Sequence, residues 1–506
     1  MSRGAASDLA AQLRSPRVAT LRGKLAMVAR LSWPAIMAQL STLLMEYIDA
    51  AMVGHLGAEP AASIGLIATT TWLFWGLGTA TVMGFSVQVA HLLGGGKDAE
   101  ARSVVRQGTV IVTAVGVLVA LLAVAIAPGL PHWLGGKGVV CDMSTSYFSI
   151  FGASMPVVYL TFMAGAMLRS SGNMLVPGVI AVVMCTLDVV FNFFMIYPAH
   201  AIETPWGVLT LPGAGLGVTG AAIGTAMAQV VGCVFLLWYL LRRSPALSRP
   251  WSRARGFVGT WWRLNGRVMR HAVSVASPLA LERVVMCGAQ ILITAIVAPL
   301  GNTAIAANAF AVTAESLCYM PGYGIGEAAT TLVGQSLGAG RRALAVSFGR
   351  ITMTLGIAIM GVLGVVMWFC AYDMIAFFTP DVSVRELGAM ALRTEAWAEP
   401  MFGAAIVGYG IAIGARYATV PAFINFGSIW AVRLTLSAIL APSMGLYGVW
   451  LAMCIELCFR GALFVLLFVR GRWLKHATAI AAESLPADTQ VRRSNFRTVE
   501  PNAKQV

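Results

Sequence analysis

The 506-residue sequence is 58% hydrophobic and only 11% charged, with a mean hydropathy of +0.78 and a formal net charge of +14. So large an apolar share excludes an ordinary water-soluble globular domain. The positive charge sits in alternate connections between apolar stretches, which excludes a nucleic-acid partner and points to a membrane instead.

In chain order, residues 1–25 form a polar, basic segment with no cleavable signal, because the first apolar stretch, near Leu31, runs on into a full span. Twelve spans are predicted, at 27–53, 61–92, 104–130, 144–168, 174–197, 216–241, 268–299, 303–337, 345–375, 387–414, 418–441 and 445–470. The uncharged runs Gln107–Gly136, Met143–Leu168 and Ile351–Tyr372 are each long enough to cross a hydrocarbon core of roughly 30 Å. Basic residues stand at Lys24 and Arg30, at Lys97, Arg102 and Arg106, at Arg341 and Arg342, at Arg416, and at Arg470, Arg472 and Lys475. The connections around Gly57, Gly136, His200, Gly301, Asp381 and Ser443 are nearly free of them. This bias predicts a multi-pass protein of a cell (inner) membrane with both termini cytoplasmic. Residues 242–270 hold eight arginines, no acidic residue, and Trp251, Trp261 and Trp262, as expected of a helix lying in the cytoplasmic interface. Residues 471–506 are expected to be a disordered tail. The eight cysteines have no metal-ligand spacing; Cys141 alone falls in an outer connection, and neither disulfide nor zinc is expected.

The halves of the chain match at a fixed offset of 244. Pro34 pairs with Pro278, Leu56 and Gly57 with Leu300 and Gly301, Gly78 with Gly322, and Leu93-Gly-Gly-Gly-Lys97 with Leu337-Gly-Ala-Gly-Arg341. Arg106 pairs with Arg350, Pro156 with Pro400 and Pro177 with Pro421. After an added outer loop, Pro198 to Ala214, Gly217-Val-Thr-Gly220 resumes the match against Gly445-Leu-Tyr-Gly448. The expected fold is therefore an all-α polytopic membrane protein of 12 transmembrane helices. An N-lobe (26–241) and a C-lobe (268–470), six helices each, would be joined by a linker (242–267). An even number of spans per lobe relates the lobes by a pseudo-two-fold axis along the membrane normal, an arrangement suited to alternating access.

The segments Tyr47-Ile-Asp-Ala-Ala-Met-Val-Gly-His-Leu-Gly57, Met320-Pro-Gly-Tyr-Gly-Ile-Gly326, Thr331-Leu-Val-Gly-Gln-Ser-Leu-Gly-Ala-Gly-Arg341 and Trp430-Ala-Val-Arg433, with Arg169-Ser-Ser-Gly-Asn173 to Pro177, resemble the multidrug and toxic compound extrusion family. The resemblance covers residues 25–470. It implies a V-shaped pair of lobes, a drug cavity between them, and export driven by inward flow of H+ or Na+. By matching position it also implies a span-one carboxylate at Asp49, a span-five pair at Asp188 and Asn192, in reversed order, and a span-six threonine at Thr225. Glu282, in Pro278-Leu-Ala-Leu-Glu282, stands about one turn from the acidic position of another branch.

The residues support related readings on their own. A carboxylate at the bilayer centre costs at least ~2.5 kcal/mol on insertion scales, so each retained one needs a partner, a cavity or a task. Asp188 and Asn192, four apart, share a helix face and offer hard oxygens to Na+; with Asp49 they would be its ligands. Protonation of Asp49 and Asp188 would serve equally. Glu46 lies one turn before Asp49, and two such carboxylates in low dielectric cannot both ionise cheaply, which suits one of them to carrying a proton. Glu282 either binds a cation or pairs with Arg433. Glu395, Glu399, Glu456 and Arg460 read as polar links within the C-lobe, and Glu315 and Glu327 as cavity lining or local pairs. Met45, Tyr47, Trp72, Phe74, Trp75, Met163, Met184, Phe191 and Phe194 are candidates for an adaptable drug wall, where acidic groups beside aromatics favour organic cations.

No Walker loop, His ligand pair or nucleophile–His arrangement is present, so the chain is not expected to be an enzyme or to need a cofactor beyond the coupling ion. The expected function is a monomeric antiporter that exports amphipathic drugs in exchange for H+ or Na+. A lipid-linked glycan flippase sharing the lobe architecture, and a membrane-embedded enzyme, are the alternatives.

Overall fold

The computed structural model describes residues 9–14, 20–204, 207–248 and 264–474. A short helix α1 (Leu9–Arg14) precedes α2 (Leu21–Gly54), α3 (Ala58–Gly94), α4 (Asp98–Ile126), the single turn α5 (Leu130–Trp133), α6 (Val139–Ser170) and α7 (Leu175–Ile196). After strands β1 (Pro198–Thr204) and β2 (Gly207–Ala214), α8 (Gly217–Arg242) completes the first lobe. The second lobe comprises α9 (Gly266–Val297), α10 (Asn302–Gly338), α11 (Arg342–Ala376), the pair α12 (Val382–Glu395) and α13 (Glu399–Gly414), and α16 (Leu446–Val469). Between α13 and α16, α14 (Thr419–Gly427) runs through a π-turn (Ser428–Leu434) into α15 (Thr435–Met444). The interfacial helix expected around Trp251, Trp261 and Trp262, and the expected tail after residue 474, lie outside the described residues.

Local chemistry sets the element ends. The Thr20 hydroxyl accepts from the Gly23 N–H at 3.2 Å at the start of α2, and Asp381 accepts from the Ser383 N–H at 2.8 Å at the start of α12. Gly57 and Gly301, equivalent in the repeat, take φ of +127° and +100° just before α3 and α10, a region that L side chains avoid. Where α12 meets α13, Pro400 supplies no N–H to an extended ladder, and the axis bends by 60°. Many hydroxyls inside the spans fold back onto their own helices, as Thr81 does onto the Leu77 carbonyl at 2.8 Å, which satisfies that donor without water.

Ten of the described helices are long and apolar enough to cross a membrane, and eleven if α12 and α13 count as one bent span. The protein is thus an all-helical, multi-pass membrane protein. Among the expected twelve, α10 is the exception: it is 37 residues long but carries Glu315, Glu327 and many small or hydroxylated residues. The outer loop expected at Pro198–Ala214 is instead an antiparallel hairpin, with Ile202 opposite Leu209. Cys141 also departs from expectation. It lies buried in the first turn of α6, its Sγ 3.6 Å from His132 Nδ1, and is not an exposed loop residue.

The lobes meet along two antiparallel helix pairs, α2 with α10 and α3 with α9. Gly324 of α10 lies against Ile36, and Gly84 of α3 against Ala272. At the arginine-rich end α3 and α10 cross through a reciprocal contact, Gly94 on the Gln335 carbonyl and Gly338 on the His91 carbonyl. These four residues are two repeat-equivalent pairs, so the pseudo-two-fold axis passes between them. Polar contacts reinforce this end: Arg169 Nε stands 3.5 Å from Glu327 Oε2, Gln335 Nε2 donates to the Ser170 carbonyl at 2.6 Å, and His91 Nε2 lies 2.7 Å from the Gly414 carbonyl. Leu9 and Leu13 of α1 are buried in one apolar cluster with Met174 of the first lobe and Ala328, Leu332, Leu344 and Phe348 of the second. Arg341 donates to the Leu13 carbonyl.

Candidate functional site

Within the first lobe, α7 turns Asp188 and Asn192 inward, both fully buried, toward Asp49 on α2. The Asn192 amide donates to Asp49 Oδ1 at 2.7 Å and to Asp188 Oδ2 at 3.1 Å, so one side-chain NH2 ties two carboxylates on different helices together. Asp188 Oδ1 and Asn192 Oδ1 are buried without a hydrogen-bond partner of good geometry. Thr225 of α8 is a near neighbour of Asp188, and Tyr147 of α6 lies within the field of both carboxylates and of Glu46. Gly224 makes the approach of α8 possible, since a β-carbon there would overlap Asn192 Oδ1. Glu46, one turn from Asp49, is exposed within the bundle and makes no direct bond to the trio. Chemically the arrangement offers two carboxylates and an amide oxygen, a hard all-oxygen set that could take a proton or a monovalent cation. Among the described residues no group of three or more His, Cys, Asp or Glu could hold a metal ion.

Beside this trio a cavity of about 20 Å³, room for one water, is lined by Trp75, Tyr147, Phe151, Thr225 and Gln229. Trp75 Nε1 and Gln229 Oε1 have no partner there. The candidate wall residues are placed unequally. Trp72 is exposed, Phe191 and Phe194 are partly exposed, and Trp75 packs edge-on against Phe162. Tyr47 crosses the lobe boundary, its hydroxyl donating to the Thr313 carbonyl and touching Ser316. Met45 is buried, and Phe74, Met163 and Met184 pack inside the lobe, Met184 against Gly232, so the structure does not put these last three on an open wall.

In the second lobe Glu282 does not pair with Arg433. Its Oε2 accepts from the Tyr409 hydroxyl at 2.6 Å and its Oε1 from the Asn425 amide at 2.7 Å. Arg433 lies instead near Glu315 and Glu395, two buried neighbouring carboxyls. Arg460 pairs with Glu456 at 3.2 Å, and Glu399 is buried beside Glu315. Glu327 is taken up by Arg169, which removes Arg169 as a counter-ion for Asp49 or Asp188. Sequence reasoning missed Tyr147, Gly224, Tyr409 and Asn425. Their only signal was a polar or backbone-thin residue in an apolar span, and their partners lie on other helices.

The MatE family model matches this chain twice, over residues 34–194 and 278–439, starts separated by the repeat offset. The probable multidrug resistance protein NorM of Thermotoga maritima is 24% identical over 456 residues, covering 88% of this chain and 93% of that protein. The probable multidrug resistance protein NorM of Brucella suis is 26% identical over 467 residues, covering 90% and 94%. Among solved structures, an outward-facing multidrug resistance MATE family transporter of the MOP superfamily aligns with a TM-score of 0.80 at 18% identity, covering 90% of this chain and 97% of that one. The Vibrio cholerae MATE transporter VcmN in its bent form aligns with a TM-score of 0.78 at 18% identity, covering 92% and 99%. At these identities the structural likeness speaks for the fold.

Proposed function

The chain belongs to the MatE family of efflux transporters, and from that premise we propose that it is a secondary antiporter, exporting amphipathic drugs or toxic compounds in exchange for H+ or Na+. It is a transporter, not an enzyme. In this reading Asp49, Asp188 and Asn192 form the coupling site, with Thr225 and Glu46 as contributors and Glu282 as a second-lobe candidate. The substrate passes between the lobes, the arginine-rich end and both termini face the cytoplasm, the membrane is the inner one, and the working unit is a monomer without a cofactor.

One observation carries the reading: a single buried amide bridges carboxylates from α2 and α7, while Asp188 Oδ1 and Asn192 Oδ1 remain buried and unpartnered. Buried polar atoms left this way cost free energy unless something visits them, and a coupling ion is such a visitor. Two helices joined through an exchangeable ion also supply what antiport needs, a cation whose presence favours one packing over another.

The test is flux of ethidium in proteoliposomes under proton and sodium gradients imposed separately. Export is expected under one of the gradients and lost when it is collapsed. Export that persists without any gradient, or that requires ATP, sinks the antiporter reading.

A further inference from the structure

Along α9 a stripe of residues faces α3: Ala272 meets Gly84, Val275 and Leu279 pack with Ala80 and Val87, and Cys287 approaches the Thr69 carbonyl at 3.9 Å. The one charged member of this stripe is Arg283, near the middle of the 32-residue helix and therefore near the membrane midplane. Its stem crosses to the first lobe, where Cγ and Cδ would stand 2.9 Å from a β-carbon on Gly76, so the glycine leaves the room the stem uses. The phenols of Tyr409 and Tyr323 from the second lobe lie within the electrostatic reach of its head, as does Glu282. Arg283 thus lies between the lobes, in the space through which the reading above routes substrate.

Three other arginines within the helices have acids close by. Arg169 has Glu327, Arg460 has Glu456, and Arg433 lies near Glu315 and Glu395. For Arg283 no carboxylate lies within 4.0 Å among the described residues. Glu282 contributes to its field, but it is the next residue on the helix, points about 100° away, and has both oxygens engaged by Tyr409 and Asn425. A guanidinium held at this depth needs a partner, and one facing a cavity finds it in what enters the cavity.

We propose that Arg283, together with the Tyr323 hydroxyl, is an oxyanion site in the inter-lobe cleft, which takes the carboxylate or phosphate of an anionic or zwitterionic amphiphile. The planar fork of arginine fits such groups in a bidentate way, and the Tyr323 phenol can add a donor, whereas the Tyr409 hydroxyl is already given to Glu282. The inference rests on the export reading for its biological sense and deepens it by naming a substrate class.

The test uses rhodamine B, whose carboxylate is free at neutral pH, and its ethyl ester, which shares the ring system but not the anion. Both are bound to the full-length protein in phosphatidylcholine nanodiscs and followed by fluorescence polarisation. The wild type is expected to bind the free acid about tenfold tighter than the ester. Arg283→Met should abolish that preference by weakening the acid alone, with Arg283→Lys in between. Tyr323→Phe, which keeps the ring, should weaken the acid about threefold and keeps the question answerable if Arg283→Met does not fold. Equal binding of the two dyes by the wild type, no binding of either, or parallel weakening of both by Arg283→Met overturns the assignment. Adding phosphatidylglycerol to the nanodiscs identifies the source of the anion: competition with rhodamine B in the wild type assigns the site to a lipid headgroup, and unchanged affinity to a soluble amphiphile. A wild type that binds the acid selectively yet fails to export ethidium under either gradient refutes the antiporter reading and leaves this one standing.

Discussion

Gly224 shows how narrow the chemistry at the first-lobe trio is. A β-carbon there would occupy the space of Asn192 Oδ1, so Gly224→Ala must push the amide aside and break its bonds to Asp49 and Asp188 without altering any ionisable group. Gradient-driven export should fall at least about tenfold; the β-carbon would also stand 2.9 Å from the Asn192 backbone nitrogen, so α7 and α8 must part slightly, a local overpacking that opens no cavity. Comparing flux with expression in the membrane fraction decides it; unimpaired export would mean that the amide bridge is dispensable. Asp49→Asn and Asp188→Asn should each uncouple export from the gradient, since an amide keeps the size of the carboxylate but cannot exchange a proton and holds Na+ weakly. The double variant should be no worse than the worse single one, as expected of two groups serving one site. Export by Asp49→Asn at the wild-type rate would move attention to Glu282 and its ties to Tyr409 and Asn425.

At the scale of elements, the crossing of α3 and α10 closes the arginine-rich end by bringing two backbones into contact at Gly94 and Gly338. Gly94→Val and Gly338→Val should each prevent that crossing, shifting the protein toward the conformation open at this end. Spin labels on Lys97→Cys and Arg342→Cys, in a background without the native cysteines, should report a longer and broader distance distribution. An unchanged distribution would mean that the crossing tolerates side chains. Glu327→Gln removes the Arg169 partner at the same seal. For a partly exposed pair worth about 1 kcal/mol or less, it should shift the populations by about fivefold at most. Much of this level was legible in the sequence. Gly94 and Gly338 stood out through the repeat, and Asp188 with Asn192 through their four-residue spacing. What stayed hidden depended on partners distant in the chain, such as Tyr409 and Asn425, which are 127 and 143 residues from Glu282. The hairpin at Pro198–Ala214 was hidden for another reason: its segment is short and rich in proline and glycine, with too little alternation to read as strands. Cys141 was misplaced because α6 begins several residues before the apolar run that marks its span.

For the whole molecule, orientation is the first quantity to measure. Lys137→Cys, in the connection before α6, should react with an impermeant maleimide in intact cells, in a background lacking the native cysteines; reaction confined to inside-out vesicles would invert the topology. The native Cys141 cannot serve this purpose, being buried against His132. A second global property comes from α1, whose Leu9 and Leu13 share an apolar cluster with Met174 and with Ala328, Leu332, Leu344 and Phe348. The ribosome makes these partners in a fixed order. At roughly 5–20 residues per second, about 15–60 s separate the emergence of Leu13 from that of Ala328. Over that interval the first lobe is already in the bilayer, and of the cluster α1 can reach only Met27, Val28, Leu31 and Ala35 of α2 and Met174. The last packing event of biogenesis is therefore a return of the oldest segment to the newest helices, and a nascent chain stalled before α10 should leave α1 open to protease while the first six long helices are protected.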